Sequence, residues 1–152
     1  MTISNGQFEA GAAGVDDETL AASLGRTLLH DIPDAVVYSD RTGVIRFWNA
    51  GATRIFGFAP ADALGQSLDI IIPERLRRRH WDGYQHMMET GRSRHRPDEL
   101  LSVPALTKSG ETISIQFTVA PVPDGDGGIA GIVAVLRDVT ATFEELKRLR
   151  GG

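Results

Sequence analysis

Residues 32–50 read Ile-Pro-Asp-Ala-Val-Val-Tyr-Ser-Asp-Arg-Thr-Gly-Val-Ile-Arg-Phe-Trp-Asn-Ala, and this stretch decides the fold. Proline disfavours helix in the residue before it, so any helix arriving from upstream closes at Ile32-Pro33. Two runs rich in β-branched and aromatic residues follow, 35–39 and 44–48. Asp40-Arg-Thr-Gly43 separates them, which predicts an antiparallel hairpin with a glycine-containing turn. Asn49 is a helix-capping residue type and opens a short helix over 50–56, stopped at Gly57. A hairpin that runs straight into a helix is the seed of an α+β fold.

Upstream, Asp16 or Asp17 can cap a helix in which Leu20, Leu24, Leu28 and Leu29 recur at helical spacing. Residues 1–15 carry neither a basic start nor an apolar stretch, so they read as a disordered tail and not as a secretory signal. Downstream, residues 59–65 suggest a single helical turn. Pro73 suits the first position of a longer helix, and Glu74 suits the positive end of its dipole. That helix runs to about Thr90 and stops at Gly91.

Residues 100–107 form a strand in which Pro104 demands an edge position or a bulge. After a turn at 108–111, residues 112–122 alternate, with Ile113, Ile115, Phe117 and Val119 on one face and Thr112, Ser114, Gln116 and Thr118 on the other. A glycine-rich loop at 124–128 leads to a last strand, 129–138. Thr140 caps a polar helix, 141–150, with a narrow stripe of Phe143, Leu146 and Leu149. The stripe either folds back on the sheet or pairs with another helix. The expected architecture is α+β: five antiparallel strands in one sheet, helices packed on one face, and flanking helices at both ends. The implied divisions are a tail at 1–15, an N-terminal flanking helix at 16–31, the main body at 32–140 and a C-terminal linker helix at 141–152.

With 152 residues, 41% of them hydrophobic and 24% charged, the chain suffices for one core and has no apolar run long enough to span a bilayer. A cytoplasmic location is the expectation. The absence of cysteine removes disulfides, thiolate metal sites and cysteinyl-flavin chemistry together. A net charge of −4 gives no general attraction to nucleic acid, and the arginines at 75, 77, 78, 79, 92, 94 and 96 fit a solvated helix face. No nucleophile elbow, phosphate-cradling loop with lysine, or His-Glu-x-x-His motif is present, so no enzyme is expected.

The hairpin with Asn49, together with Ile55-Phe-Gly-Phe58, Leu64-Gly65, Ile72-Pro73, Lys108-Ser-Gly110 and Val135-Leu-Arg-Asp-Val-Thr140, resembles the PAS family over roughly residues 28–140. The resemblance implies a five-stranded antiparallel sheet, a ligand-holding helical side, and a role as sensor, dimerisation module or both. It also implies that Asn49 ties the following loop through side-chain hydrogen bonds.

Within that family, Ile72-Pro-Glu-Arg-Leu-Arg-Arg-Arg-His80-Trp-Asp-Gly-Tyr-Gln-His-Met-Met-Glu-Thr-Gly91 is similar to the corresponding helix of haem-containing PAS domains, namely those of nitrogen-fixation oxygen-sensor kinases and oxygen-regulated phosphodiesterases. Leu76, His80, Tyr84 and Met87 or Met88 fall on one helical stripe. By the resemblance His80 would be the proximal ligand of a b-type haem, in a pocket lined by Leu76, Tyr84, Met87, Leu100, Leu101, Ile115, Phe117 and Val133. The relatives carry an arginine or methionine opposite the iron, whereas residues 99–103 here read Glu-Leu-Leu-Ser-Val. An apolar wall of that kind would favour carbon monoxide or nitric oxide over oxygen.

FAD, stacked on Trp48 or Trp81, and no cofactor at all are the alternatives. As core and rim residues the two tryptophans need no ligand, and Trp81 is expected to turn away from the stripe. His30, His86 and His95 are weaker candidates. The expected partners are a second copy, through the terminal helices or the sheet face, and a downstream kinase, cyclase or regulator lying outside this chain. A cofactor-free interaction module is the competing reading.

Overall fold

In the computed structural model, residues 16–92 and 101–151 are described. The expected tail at 1–15 and Leu100 lie outside them, as do Arg94, His95 and Arg96. Two compact units divide the chain at Ile32/Pro33. In the first, helix α1 (Asp17–His30) begins where the Asp16 side chain accepts from Thr19 N at 2.7 Å. This is the expected cap. No residue of α1 is buried, and Leu20, Leu24, Leu28 and Leu29 are all exposed.

The second unit is built on one five-stranded sheet, fully antiparallel, in the order β2-β1-β5-β4-β3. The strands are β1 (Ala35–Asp40), β2 (Ile45–Trp48), β3 (Leu101–Leu106), β4 (Thr112–Pro123) and β5 (Ile129–Asp138). The first strand and the last lie side by side, so the sheet closes only once β5 is in place. Pro104 stands on edge strand β3, where a missing N–H is tolerated.

Register decides which face is core. Val37 is paired with Ala134, Ala35 and Phe117 with Leu136, and Val119 with Ala134. These residues, with Ile115 and Ile132, contribute to one hydrophobic cluster. Helices α2 (Ala50–Phe56), α3 (Pro60–Ala63) and α4 (Glu74–Thr90) cover that face with Ala52, Phe56, Ala63, Tyr84 and Met87. A 3-10 helix at Leu68–Ile71, which the sequence reading did not anticipate, adds Leu68 and Ile71.

This register corrects the placement of Val133. Strand residues alternate between faces, so with Ile132 and Ala134 in the core, Val133 points to the opposite side, across from Tyr38 and Ala120. It cannot line a pocket beneath α4.

The local signals behave as their chemistry requires. Asn49 Oδ1 accepts from Ala52 N at 2.9 Å, capping α2, and from Val36 N at 2.8 Å, while Nδ2 donates to the Asp34 carbonyl at 3.1 Å. One buried side chain thus fastens α2 to the start of β1. Gly57 and Gly91 end α2 and α4 in the left-handed conformation, with φ of 88° and 71°. Pro73 sits one position earlier than expected. It is the N-cap of α4, with ψ of 140°, and the helix begins at Glu74.

Helix α5 (Thr140–Gly151) leaves β5 at a tight junction. Asp138 Oδ1 accepts from both the N–H and the hydroxyl of Thr140, and Ser114 N donates to Thr140 Oγ1 at 2.9 Å. The stripe of Phe143, Leu146 and Leu149 stays exposed and does not fold back on the sheet. No helix among the described residues is long and apolar enough to cross a membrane.

Candidate functional site

Helix α4 presents two side chains fully to the core, Tyr84 and Met87, and beside them half-buried Leu76, His80, Trp81 and Met88. Positions 80, 84 and 87 lie on one stripe, as i, i+4 and i+7 require. The expected helical face is therefore the observed one.

Tyr84 is the anchor of that face. The Ser39 hydroxyl, on β1, donates to Tyr84 Oη at 2.8 Å, and Tyr84 in turn donates to the Asp40 carbonyl. Both groups are thereby satisfied in a place where an unpaired hydroxyl would be costly. Burial pushes the Tyr84 phenol up to about 12, against a lowering by the bond from Ser39. It is a neutral donor throughout the physiological range.

Trp81 departs from the sequence expectation. Its indole N–H donates to Asp69 Oδ1 at 2.8 Å, and its ring lies over Gly43 in the β1–β2 turn, so closely that a Cβ there would overlap the six-membered ring. The ring is partly buried against the core and does not turn away from it. A long side chain reaches further round the helix than its Cα position suggests, and here a glycine opposite leaves the room. Trp48, by contrast, is a core residue as expected: it is buried, donates to Thr53 Oγ1 and the Phe58 carbonyl, and packs 5.6 Å from the Phe56 ring.

His80 packs against the rings of Trp81 and Tyr84, which also meet each other with centroids 5.2 Å apart. Its centroid is 4.6 Å from that of Trp81, edge to face, and 5.8 Å from that of Tyr84. Nδ1 is buried and has no hydrogen-bond partner. Burial holds the imidazole below its ordinary pKa, with the Asp69 carboxylate pulling the other way. At neutral pH the ring is therefore uncharged and can serve as a ligand nitrogen or as a hydrogen-bonding group.

An uncharged, partly buried imidazole of this kind would suit a ligand to a haem iron, although its buried Nδ1 has no hydrogen-bond partner to orient the ring. Of the other expected lining residues, Tyr84 and Met87 pack beside the same stripe, and Ile115 and Phe117 share the cluster from β4. Leu101 pairs with Phe117 across the sheet and is half-buried. Leu76 lies one turn before His80, and Val133 is excluded by register.

Two surface hollows lie nearby. One of about 620 Å³ is lined by Pro73, Glu74, Arg75 and Leu106, and one of about 270 Å³ by Asp82, Gln85, His86 and Glu89. His80 lines neither. His86, half-buried, lines the second hollow, and no group of three or more metal-ligating side chains occurs among the described residues.

A family model described as PAS fold matches residues 29–143. The sensor protein FixL of Bradyrhizobium diazoefficiens is 30% identical over 125 residues, which cover 82% of this chain and 24% of FixL. The chain thus spans about a quarter of that relative. Among solved structures, the PAS domain of a protein from Colwellia psychrerythraea superposes with a TM-score of 0.69 at 19% identity, covering 80% of this chain and 98% of that one. An RNA-binding light-oxygen-voltage receptor superposes with a TM-score of 0.68 at 19% identity, covering 97% and 41%. Likeness at such identity speaks to the fold alone.

Proposed function

The chain belongs to the PAS-fold family, whose domains are sensory, and from that premise we propose that it detects its signal at His80, by holding a b-type haem for gas or redox sensing. The observation that carries this reading is the buried Nδ1 of His80, left without a hydrogen-bond partner on the face of α4 that packs against the core. A bound haem would supply an iron centre able to exchange gas ligands or electrons. The chain's own residues would hold the imidazole neutral by burial, brace it with Trp81 and Tyr84, and offer apolar surface from Leu101 and Phe117.

The output would pass through the sheet to α5, which is hydrogen-bonded to β4 at Ser114. We place the domain in the cytoplasm, as a non-catalytic homodimer acting on a kinase, cyclase or regulator. The exposed Phe143, Leu146 and Leu149 of α5 are the surface such a dimer would bury.

A cofactor-free interaction module is the second reading. It is favoured by a core already occupied by the protein's own side chains, with Phe56 and Ile45 fully buried. Titrating the purified protein with haemin, and separately with FAD, discriminates among these. A Soret band saturating at one haem per chain and lost in His80→Ala supports the first reading. Flavin uptake supports FAD as the cofactor, and a colourless dimer that takes up neither supports the module.

A further inference from the structure

Both aromatic rings that touch His80 are anchored at the same distant place. Tyr84 is bonded to Ser39 and to the carbonyl of Asp40, at the end of β1. Trp81 rests on Gly43, three residues further on, whose φ of 81° is one that other residues rarely adopt. The turn between them is rigid: Asp40 Oδ1 accepts from Thr42 N, Thr42 Oγ1 and Val44 N, and Gly43 N donates to the Asp40 carbonyl.

A closed circuit of contacts results. The Trp81 indole is bonded to Asp69, on the 3-10 helix, and the first residue of that helix, Leu68, donates its N–H to the Gly43 carbonyl at 3.0 Å. Gly43 in turn lies under the Trp81 ring. The indole is therefore fixed at its nitrogen, by Asp69, and at its far edge, by Gly43. It has little freedom to move unless the turn moves with it.

We infer that Trp81 is a positioning residue for His80 and the mechanical link by which a displacement of the His80 ring reaches the β1–β2 turn. A group that binds His80 and shifts its ring presses on the Trp81 ring, and the turn moves with it as a unit because Gly43 offers no other clearance. From there Arg41, which donates to the Ile129 carbonyl, passes the change to the start of β5, the strand that leads into α5. The inference rests on the reading of His80 as the sensing residue, but the coupling itself belongs to the ligand-free protein.

The test follows the His80 ring in that ligand-free protein, by NMR of histidine labelled with nitrogen-15, with His80→Gln to assign the signal. Gly43→Ala adds a methyl that the Trp81 ring would meet. Trp81→Phe removes the far ring atoms that it would meet. The expected result is that Gly43→Ala displaces the His80 ring signal in the Trp81 background, leaves His86 unmoved, and has no effect on His80 once Trp81→Phe is present.

The backbone strain of alanine at Gly43 is common to both backgrounds and cancels in the comparison. An unchanged His80 signal in Gly43→Ala, or an equal change in both backgrounds, overturns the inference. Should Gly43→Ala fail to fold, Asp69→Ala carries the test, because it releases the indole nitrogen; Asp69→Asn keeps an acceptor while removing the charge. Since the lost charge is common to both variants, a larger displacement of the His80 signal by Asp69→Ala than by Asp69→Asn supports the link, and equal displacement by both overturns it. A protein that takes up no haemin yet shows the coupling would defeat the haem reading and leave this one standing.

Discussion

The hydroxyl of Tyr84, on α4, lies 2.8 Å from the hydroxyl of Ser39, on β1, and bonds that helix to the centre of the sheet. Both groups are buried and each needs the other, since Tyr84 also fills the Asp40 carbonyl. Tyr84→Phe keeps the ring and removes the oxygen. It is expected to cost about 1–2 kcal/mol, the usual penalty for leaving buried polar groups unmatched. Urea unfolding followed by circular dichroism would measure it as a lower midpoint with an unchanged slope.

The same bond has an alkaline signature. Burial raises the Tyr84 phenol to about 12 from the model-compound 10.0, so the folded state retains a proton that the unfolded state gives up. The associated stability is fully present below pH 10.0 and is lost as pH climbs toward about 12. The chain has two tyrosines, so a phenolate titration at 295 nm should show a late step that disappears in Tyr84→Phe.

Asp40 provides the acid counterpart. Burial opposes its ionised form, but the bonds from Arg46, Thr42 and Val44 outweigh that and hold the carboxyl far below its ordinary 3.8. A depressed folded-state pKa stabilises the fold above the unfolded value, and the contribution disappears as pH falls below about 4. Thermal unfolding measured from pH 6 downward is expected to show a smaller loss of stability in Asp40→Asn than in the parent protein.

Two glycines inside helices should respond oppositely to alanine. At Gly83, on α4, a Cβ meets nothing within 4 Å, so Gly83→Ala is expected to stabilise the protein by about 0.5–1 kcal/mol through helix propensity. At Gly51, on α2, a Cβ would overlap the Asp34 carbonyl, and steric cost outweighs propensity. Gly51→Ala is expected to destabilise by about 1–3 kcal/mol, and calorimetry on the pair would show the opposite signs.

Much of this was legible in the chain. Asn49 was readable as a cap because Asn at a strand-to-helix junction has few other uses, and β4 was readable because polar and apolar residues alternate strictly over 112–119. The His80 stripe followed from helical spacing alone. Val133 was misplaced because β5, Ile-Ala-Gly-Ile-Val-Ala-Val-Leu over 129–136, is apolar on both faces, so no alternation marks the inner one. Only pairing of Val37 with Ala134 settles it. Trp81 was misread for a different reason: its seat is made by Gly43 and Asp69, 38 and 12 positions away, and nothing local announces a glycine left bare for a distant ring.

The central claim is that the His80 imidazole is where the domain receives its signal, and ligand replacement tests it most directly. In His80→Gly the side chain is gone, and free imidazole can take its place. The expected result is that the parent protein binds haemin with an imidazole-ligated absorption spectrum, that His80→Gly does not, and that added imidazole restores the spectrum. Identical spectra for the parent and His80→Gly, before any imidazole is added, would contradict the account.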